Sequence, residues 1–271
     1  MSSNIPIEII IKVFALATRT RASAASWITF SRWTYGWFES LLYKSVVLED
    51  EEEAALFLQC LRCRDMHEAF AKTSISAMYL EGHIQGITAI QILSLCKGIK
   101  NLALEIKNED LKDLSSLQPV LDALPLTVLH MHMGITLTED SVTTTAFFSH
   151  LTHLDVDNKD MLQHVRLECF PRLTHLALWG ALVGTEPIIV SLIRRLLDHP
   201  TLEVLIFREH HKQLASFLEW NSIQDSRIVI APQSVYMWDD LGRASMLLWE
   251  IAEQKVNRAK PNHRKFVPVG S

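Results

Sequence analysis

Histidine, aspartate, tryptophan and arginine recur at alternate positions within four short apolar segments of this chain. Those positions are Val128/His130/His132, His153/Asp155/Asp157, His175/Ala177/Trp179 and Val204/Ile206/Arg208. Imidazole and carboxylate groups bind metal ions and transfer protons, whereas tryptophan and arginine are frequent anchors of protein interfaces. Because alternate side chains of a strand point to the same side, each set is expected to lie on one face of a strand.

Three interpretations of these residues compete. Adjacent strands lie about 4.8 Å apart, so His132, Asp157, Trp179 and Arg208 would form one row across a sheet. The simplest interpretation is a solvated polar face, since a sheet surface requires exposed polar residues. The second is a protein-recognition patch with Trp179 and Arg208 as anchors. A metal or acid–base site comes last, because ligands need a convergent geometry that strand spacing alone does not secure.

Four cysteines offer a further possible chemistry. Cys60 and Cys63 form a C-x-x-C motif, but Cys96 and Cys169 are isolated, whereas a structural zinc site needs a second pair. The motif lies in an apolar helical segment, where cysteine behaves as a small hydrophobic residue. So few cysteines in 271 residues indicate a reducing compartment, and we expect a cytoplasmic or nuclear protein.

The polar sets alternate with an aliphatic phrase that recurs roughly every 25 residues. The six copies are Ile75/Met78/Leu80, Ile99/Leu102/Leu104, Leu126/Leu129/Met131, Leu151/Leu154/Val156, Leu173/Leu176/Leu178 and Leu202/Leu205/Phe207, with a frayed seventh at Ile228 and Ile230. This interval matches the period of leucine-rich repeats, in which one strand and one helical return form each unit. Such units must stack to bury their apolar faces, which predicts a solenoid with an open, strand-lined binding surface.

Helical segments are predicted between and after these phrases. Ile189, Leu192, Ile193 and Leu196 share one helical face, with Thr185 as the N-cap and Pro187 in the first turn. A last amphipathic helix is expected over residues 239–259, and we interpret it as the cap of the open end of the solenoid. Residues 260–271 are expected to form a solvated, flexible tail.

Composition and charge exclude several classes of protein. Hydrophobic residues make up 48% of the chain and charged residues 21%, as in a folded globular protein. The net charge of −5 leaves no basic footprint for nucleic acid. The apolar stretch from Ile5 to Leu16 is interrupted by Glu8 and Lys12, which argues against a secretory signal, and no run is long enough to span a membrane.

The N-terminal segment resembles an F-box. The matching residues are Ile5-Pro6-Ile7-Glu8-Ile9, Val13-Phe14, Ser31-Arg32-Trp33 and Leu41-Leu42-Tyr43. Together with the repeats, they resemble fungal-type F-box proteins with C-terminal leucine-rich repeats. The resemblance implies a non-catalytic adaptor whose F-box docks the Skp-type subunit of an SCF-type (cullin-RING) ubiquitin ligase. The implied adaptor-binding residues are Ile5, Pro6, Ile9, Val13, Phe14 and Trp33.

These observations predict an α/β fold, namely a leucine-rich-repeat solenoid preceded by a small all-helical F-box-like module. The predicted units are the module (1–48), a helical connector (49–70), the solenoid (71–232), a capping helix (233–259) and the tail. The repeats are expected to hold an unidentified protein target, with no cofactor, metal, nucleic acid or membrane. The candidate target-binding residues are His130, His132, His153, Asp155, Asp157, His175, Trp179 and Arg208. The alternative is a free-standing interaction scaffold in which residues 5–45 serve only as a structural cap.

Overall fold

The computed structural model describes residues 39, 42–105, 116–131, 145–156, 167–179, 186–208, 211–231 and 244–259. Within these ranges the chain forms one all-parallel sheet of eight strands. The strands are β1 (Ser45–Leu48), β2 (Ala77–Leu80), β3 (Asn101–Leu104), β4 (Val128–Met131), β5 (His153–Val156), β6 (His175–Trp179), β7 (Val204–Arg208) and β8 (Ile228–Ala231). Strands β2 to β7 fall on the six aliphatic phrases, and β8 falls on the frayed seventh.

The strands lie side by side in the order in which they occur along the chain. Their register keeps the aliphatic residues in line, so that Leu129 pairs with Leu154 and Leu154 with Leu176. Because side chains alternate along a strand, these residues form one continuous apolar face. We call the opposite side, which carries the alternate residues, the second face of the sheet.

Seven helices are found in the described ranges. They are α1 (Glu51–Arg62), α2 (His67–Ser74), α3 (Gly86–Leu95), α4 (Gln118–Asp122), α5 (Glu186–Leu197), α6 (His211–Trp220) and α7 (Ala244–Ala259). After β4 and β5 the connections contain short 3-10 helices instead, at Ala146–His150 and Leu167–Cys169. There the buried rings of Phe147, Phe148 and Phe170 belong to the apolar core. No described helix has the length and apolar character needed to cross a membrane.

The acidic run at Glu49–Glu53 marks the start of α1. The Asp50 carboxylate accepts a hydrogen bond from the backbone N–H of Glu53, and the Glu53 carboxylate accepts one from the backbone N–H of Glu49. This reciprocal arrangement satisfies two backbone donors near the helix start. Glu51 also accepts hydrogen bonds from the backbone N–H of Gln85 and the hydroxyl of Thr88, at the start of α3. These hydrogen bonds therefore connect α1 directly to α3.

The structure overturns the predicted architecture of a helical module followed by a leucine-rich-repeat solenoid. The described residues form an α/β arrangement of eight parallel strands and seven helices. Its first strand, Ser45–Leu48, lies within residues 1–48, which were predicted to be entirely helical. Val46 and Leu48 are buried there in register with Met78 and Leu80, so this segment begins the sheet. All four of its residues pair in parallel with β2, which identifies a strand and not a helix.

The position of α7 also differs from the prediction. The sequence predicts that this helix covers the end of a solenoid, but it packs on the second face of the sheet, beside β7 and β8. Leu248, Trp249, Ala252 and Val256 bury this helix against Ala177, Val204, Ile206, Val229 and Ala231. Burial of each large apolar side chain contributes roughly 1.5–3 kcal/mol to the free energy of folding, so the packing of α7 against the sheet is stable. The face predicted to be open is therefore covered over its C-terminal strands.

Gly98 provides a test of how closely the helical layer packs. A Cβ atom at this position would overlap the carbonyl oxygen of Lys72, a rigid backbone atom. We expect Gly98→Ala to lower the free energy of unfolding by about 1–3 kcal/mol, as overpacking does. Urea denaturation measures this loss, and Lys97→Ala at the exposed neighbour should stay within about 0.5 kcal/mol. Equal stability of the two variants would contradict the packing around Gly98.

Candidate functional site

Polar side chains on the second face form two clusters. The charge cluster consists of Glu105, His130, Asp155 and Arg208, which come from the end of β3 and from β4, β5 and β7. The histidine cluster consists of His153 and His175, from β5 and β6, with Trp249 and Glu253 from α7. Both clusters lie on alternate positions of the strands, as the sequence indicates. Glu105 continues this alternation just beyond β3, whereas Trp249 and Glu253 come from α7 and are not indicated by the strand pattern.

Asp155 is the centre of the charge cluster. It pairs in register with His130, and its Oδ2 atom lies 3.0 Å from His130 Nδ1. Nη1 of Arg208 donates a hydrogen bond to the same oxygen over 3.2 Å. On the other side of the imidazole, His130 Nε2 lies 3.6 Å from Oε1 of Glu105. Asp155 is fully buried and Arg208 is 1% exposed, so the ion pairs lie in the interior of the protein.

The surroundings of His130 keep its imidazole charged near neutral pH. Burial alone would lower the pKa of His130, but Asp155 and Glu105 outweigh it and raise the pKa to about 9. Burial lowers the pKa of Arg208, and the negative charge of Asp155 opposes this shift. An arginine side chain remains cationic in proteins, so two cations face two carboxylates and the charges balance. A protonated imidazole cannot act as a general base, so at neutral pH His130 is available only as a proton donor.

Trp179 and Arg208 form a stacked pair, and not two exposed anchors. They are neighbours in register, and the Arg208 guanidinium carbon lies 3.4 Å from the centroid of the Trp179 ring. This geometry suits a cation–π interaction, which is stronger when the groups are removed from water. Trp179 remains half-buried, whereas Arg208 is inaccessible. Of the two proposed anchors, only the tryptophan has surface that a partner can reach.

The histidine cluster joins the sheet to α7. The rings of His153 and His175 are stacked, with centroids 4.1 Å apart, and both contact the Trp249 ring edge-on. Oε1 of Glu253, one helical turn from Trp249, lies 3.1 Å from His175 Nε2. Burial, together with the adjacent His175, lowers the pKa of His153 to about 3. Burial also lowers the pKa of His175, although Glu253 and Glu203 oppose the shift.

The structure brings together most, but not all, of the predicted target-binding residues. His130, Asp155, His175 and Arg208 are buried, which corrects the expectation that they form an exposed patch. His153 and Trp179 are partly exposed, and His132 and Asp157 lie outside the described residues. All six predicted adaptor-binding residues lie outside the described residues as well: Ile5, Pro6, Ile9, Val13, Phe14 and Trp33.

Three partners of these clusters were missed in the sequence. Glu105 directly follows the aliphatic phrase of β3 and so occupies the same alternate position as the residues that were chosen. Its position could have identified it. Trp249 and Glu253 lie on the last helix, one turn apart, and no strand pattern indicates that this helix meets β5 and β6. The cysteine motif also differs from the prediction, because Cys60 and Cys63 are exposed free thiols and not buried hydrophobic residues.

Neither a scan against protein-family models nor a search of curated proteins finds a match to this chain. The function is therefore inferred from the geometry of the two clusters and from the resemblance of the N-terminal segment to an F-box.

Proposed function

We propose that this chain is a target-recognition adaptor of an SCF-type ubiquitin ligase. Residues 5–45 would dock the Skp-type subunit, as their resemblance to an F-box implies, and the sheet would hold the protein target. The role is non-catalytic, and it requires a rigid framework with an accessible surface. A cytoplasmic or nuclear location follows from the same proposal, because the small number of cysteines suits a reducing compartment.

The observation that supports target binding is the unequal covering of the second face. Helix α7 packs over β7 and β8 and reaches His153 and His175 on β5 and β6. On β1 to β3 the same face carries four partly exposed side chains beside the buried Ser45, Ala77 and Ala103, namely Val47, Tyr79, Asn101 and, just beyond β3, Glu105. The second face is therefore more accessible on β1–β3 than on β7 and β8. We propose that the target binds to this face of β1–β3.

The character of this surface is aromatic and acidic. Tyr79 lies close to Glu105, Glu81 and Glu49, and burial with these negative charges raises its pKa above the ordinary value. Glu49 and Asp50 are exposed at the same edge of the sheet. An aromatic ring surrounded by carboxylates complements a basic segment, since lysine and arginine bind both groups. We therefore propose a target that presents a basic segment to β1–β3.

Co-purification with a Skp-type adaptor tests the proposed function. The full chain should form a stable complex, and Phe14→Asp should abolish it by placing a charge among the apolar anchors that the F-box resemblance implies. Met66→Asp is the matched control, because Met66 is 79% exposed and its replacement should leave the complex intact. A folded wild-type chain that forms no complex, or a complex that survives Phe14→Asp, would overturn the adaptor role.

One observation favours the alternative of a free-standing interaction scaffold. Arg64 forms an ion pair with Glu39 over 2.6 Å, and its guanidinium group stacks over the rings of Tyr43 and Phe70. These contacts bind the end of the N-terminal segment to the helical layer of the sheet. A segment with only a structural role would make such contacts. The co-purification experiment separates the two functions, because a scaffold has no need of the adaptor.

A further inference from the structure

We propose that His153, His175 and Glu253 form a binding site for a divalent transition-metal ion of the zinc class. Such an ion would be coordinated by residues of α7, β5 and β6 at once and would link the helix to these two strands. Among the described residues, these three side chains are the one group of metal-ligating residues whose ligand atoms lie within 4.8 Å of one another. Two imidazoles and one carboxylate are a common zinc donor set, and they leave a fourth position for water or another ligand.

The hydrogen bonds of two threonines are compatible with a tautomer in which Nε2 of each imidazole is available to a metal. The hydroxyl of Thr174 donates to the carbonyl oxygen of Thr152 over 3.1 Å, and its oxygen lies 2.7 Å from His175 Nδ1. A hydroxyl has one proton, so when Thr174 donates it to the carbonyl, the Thr174 oxygen accepts from Nδ1–H of the imidazole. Nε2 is then the nitrogen with the free lone pair. An outer hydrogen bond of this kind orients metal-binding histidines in proteins.

The same arrangement is repeated on the neighbouring strand. The Thr152 hydroxyl donates to the carbonyl oxygen of Thr127 over 3.0 Å, and its oxygen lies 2.8 Å from His153 Nδ1. These contacts are compatible with the same tautomer of His153, with the proton on Nδ1. In this tautomer, the adjacent strands β5 and β6 each provide one imidazole Nε2 atom as a possible metal ligand.

Nε2 of His175 and Oε1 of Glu253 are close enough to be ligands of the same metal ion. Oε1 of Glu253 lies 3.1 Å from Nε2 of His175, which is buried. With the proton on Nδ1, this contact joins a lone pair to a carboxylate oxygen, which is repulsive unless a cation lies between them. Two ligands of one tetrahedral zinc ion are separated by roughly 3.3 Å, given the usual bond lengths. The observed spacing fits shared coordination.

A bound ion would change this part of the fold in a defined way. His153 and His175 are stacked nearly in parallel, so the two rings would have to rotate out of this stack before both Nε2 lone pairs could point at one ion. Trp249 covers both rings from the side of α7 and limits the access of water. Coordination would therefore link a helix to two strands at a point that is already closely packed.

Zinc titration of the metal-stripped full chain tests the proposal. Isothermal titration calorimetry should detect one saturable Zn²⁺ site, and Co²⁺ should give the visible absorption bands of tetrahedral coordination. Glu253→Gln should weaken Zn²⁺ binding at least about tenfold, since even the loss of an outer-shell partner costs about 10–100-fold in metal affinity. Glu253 is about half-exposed, so this variant should fold normally.

Glu250→Gln is the matched control, because Glu250 is an exposed glutamate on the same helix and should not affect Zn²⁺ binding. His153→Asn removes a second proposed ligand and should weaken binding by a similar factor while circular dichroism reports the fold. No saturable Zn²⁺ binding by the wild-type chain would overturn the proposal. Equal Zn²⁺ affinity of Glu253→Gln and wild type would overturn it as well, since the zinc would then be held elsewhere.

Discussion

Replacing Asp155 by asparagine is expected to lower the free energy of unfolding by about 3–5 kcal/mol, the usual loss when one partner of a buried ion pair is removed. Asparagine has nearly the same shape, so the change removes a charge and creates no cavity. The variant leaves the Arg208 guanidinium, which is 1% exposed, without its carboxylate partner and beside the imidazole of His130. Urea denaturation at pH 7 measures the loss.

A surface ion pair provides the comparison for this variant. Asp225 and Arg227 are 2.8 Å apart, and both side chains are partly exposed. Asparagine keeps the Oδ1 acceptor that binds the backbone N–H and Nε of Arg227, so Asp225→Asn should cost about 1 kcal/mol, clearly less than Asp155→Asn. If Asp155→Asn and Asp225→Asn cost the same, the charge cluster does not hold the sheet together in the way that its geometry implies.

Strand positions could be predicted from the sequence because they depend on local alternation. Each phrase places its aliphatic residues on one side of a short strand, and burial of Leu102, Leu154 and Leu205 follows directly. Helix α5 was predicted for a similar reason, since its apolar residues recur at helical spacing and Pro187 lies in its first turn. Such patterns need no knowledge of distant residues.

The first strand was missed because its pattern is incomplete. Tyr43, Val46 and Leu48 repeat the spacing of the aliphatic phrase, but an aromatic residue occupies the first position. Resemblance to an F-box also assigned this segment to a helical module. In the fold, Tyr43 packs against Phe57 and Phe70, so the aromatic ring serves the same core as the aliphatic residues of the other copies.

The position of α7 could not be predicted from the sequence by the same reasoning. Its apolar stripe indicates that one side is buried, and Leu248, Ala252 and Val256 are indeed buried. The stripe does not specify the surface that buries it, because the end of a repeat stack and the face of a sheet are both apolar. This one tertiary contact places Trp249 and Glu253 against His175, and so it changes the functional interpretation of the histidines on β5 and β6.

Stability should depend on pH through His130. Its folded-state pKa of about 9 exceeds the ordinary value of 6.5, so the native state holds a proton that the unfolded chain releases between these values. The stabilisation is fully present below about pH 6.5 and is lost as the pH rises through about 9. Relative to His130→Gln, the wild-type free energy of unfolding should fall by about 3 kcal/mol between pH 6 and pH 10.

Denaturation of both proteins across this pH range isolates the effect of His130, because tyrosine, cysteine and lysine titration is common to both. His150→Gln, at an exposed histidine, should run parallel to wild type. A wild-type advantage over His130→Gln that stays constant from pH 6 to pH 10 would show that Asp155 and Glu105 do not hold the imidazole charged. If the advantage declines as expected, the cluster owes its stability to a complete set of charges, since Asp155 connects His130 on β4 with Arg208 on β7. Loss of one proton would then loosen the attachment between strands that are three positions apart in the sheet.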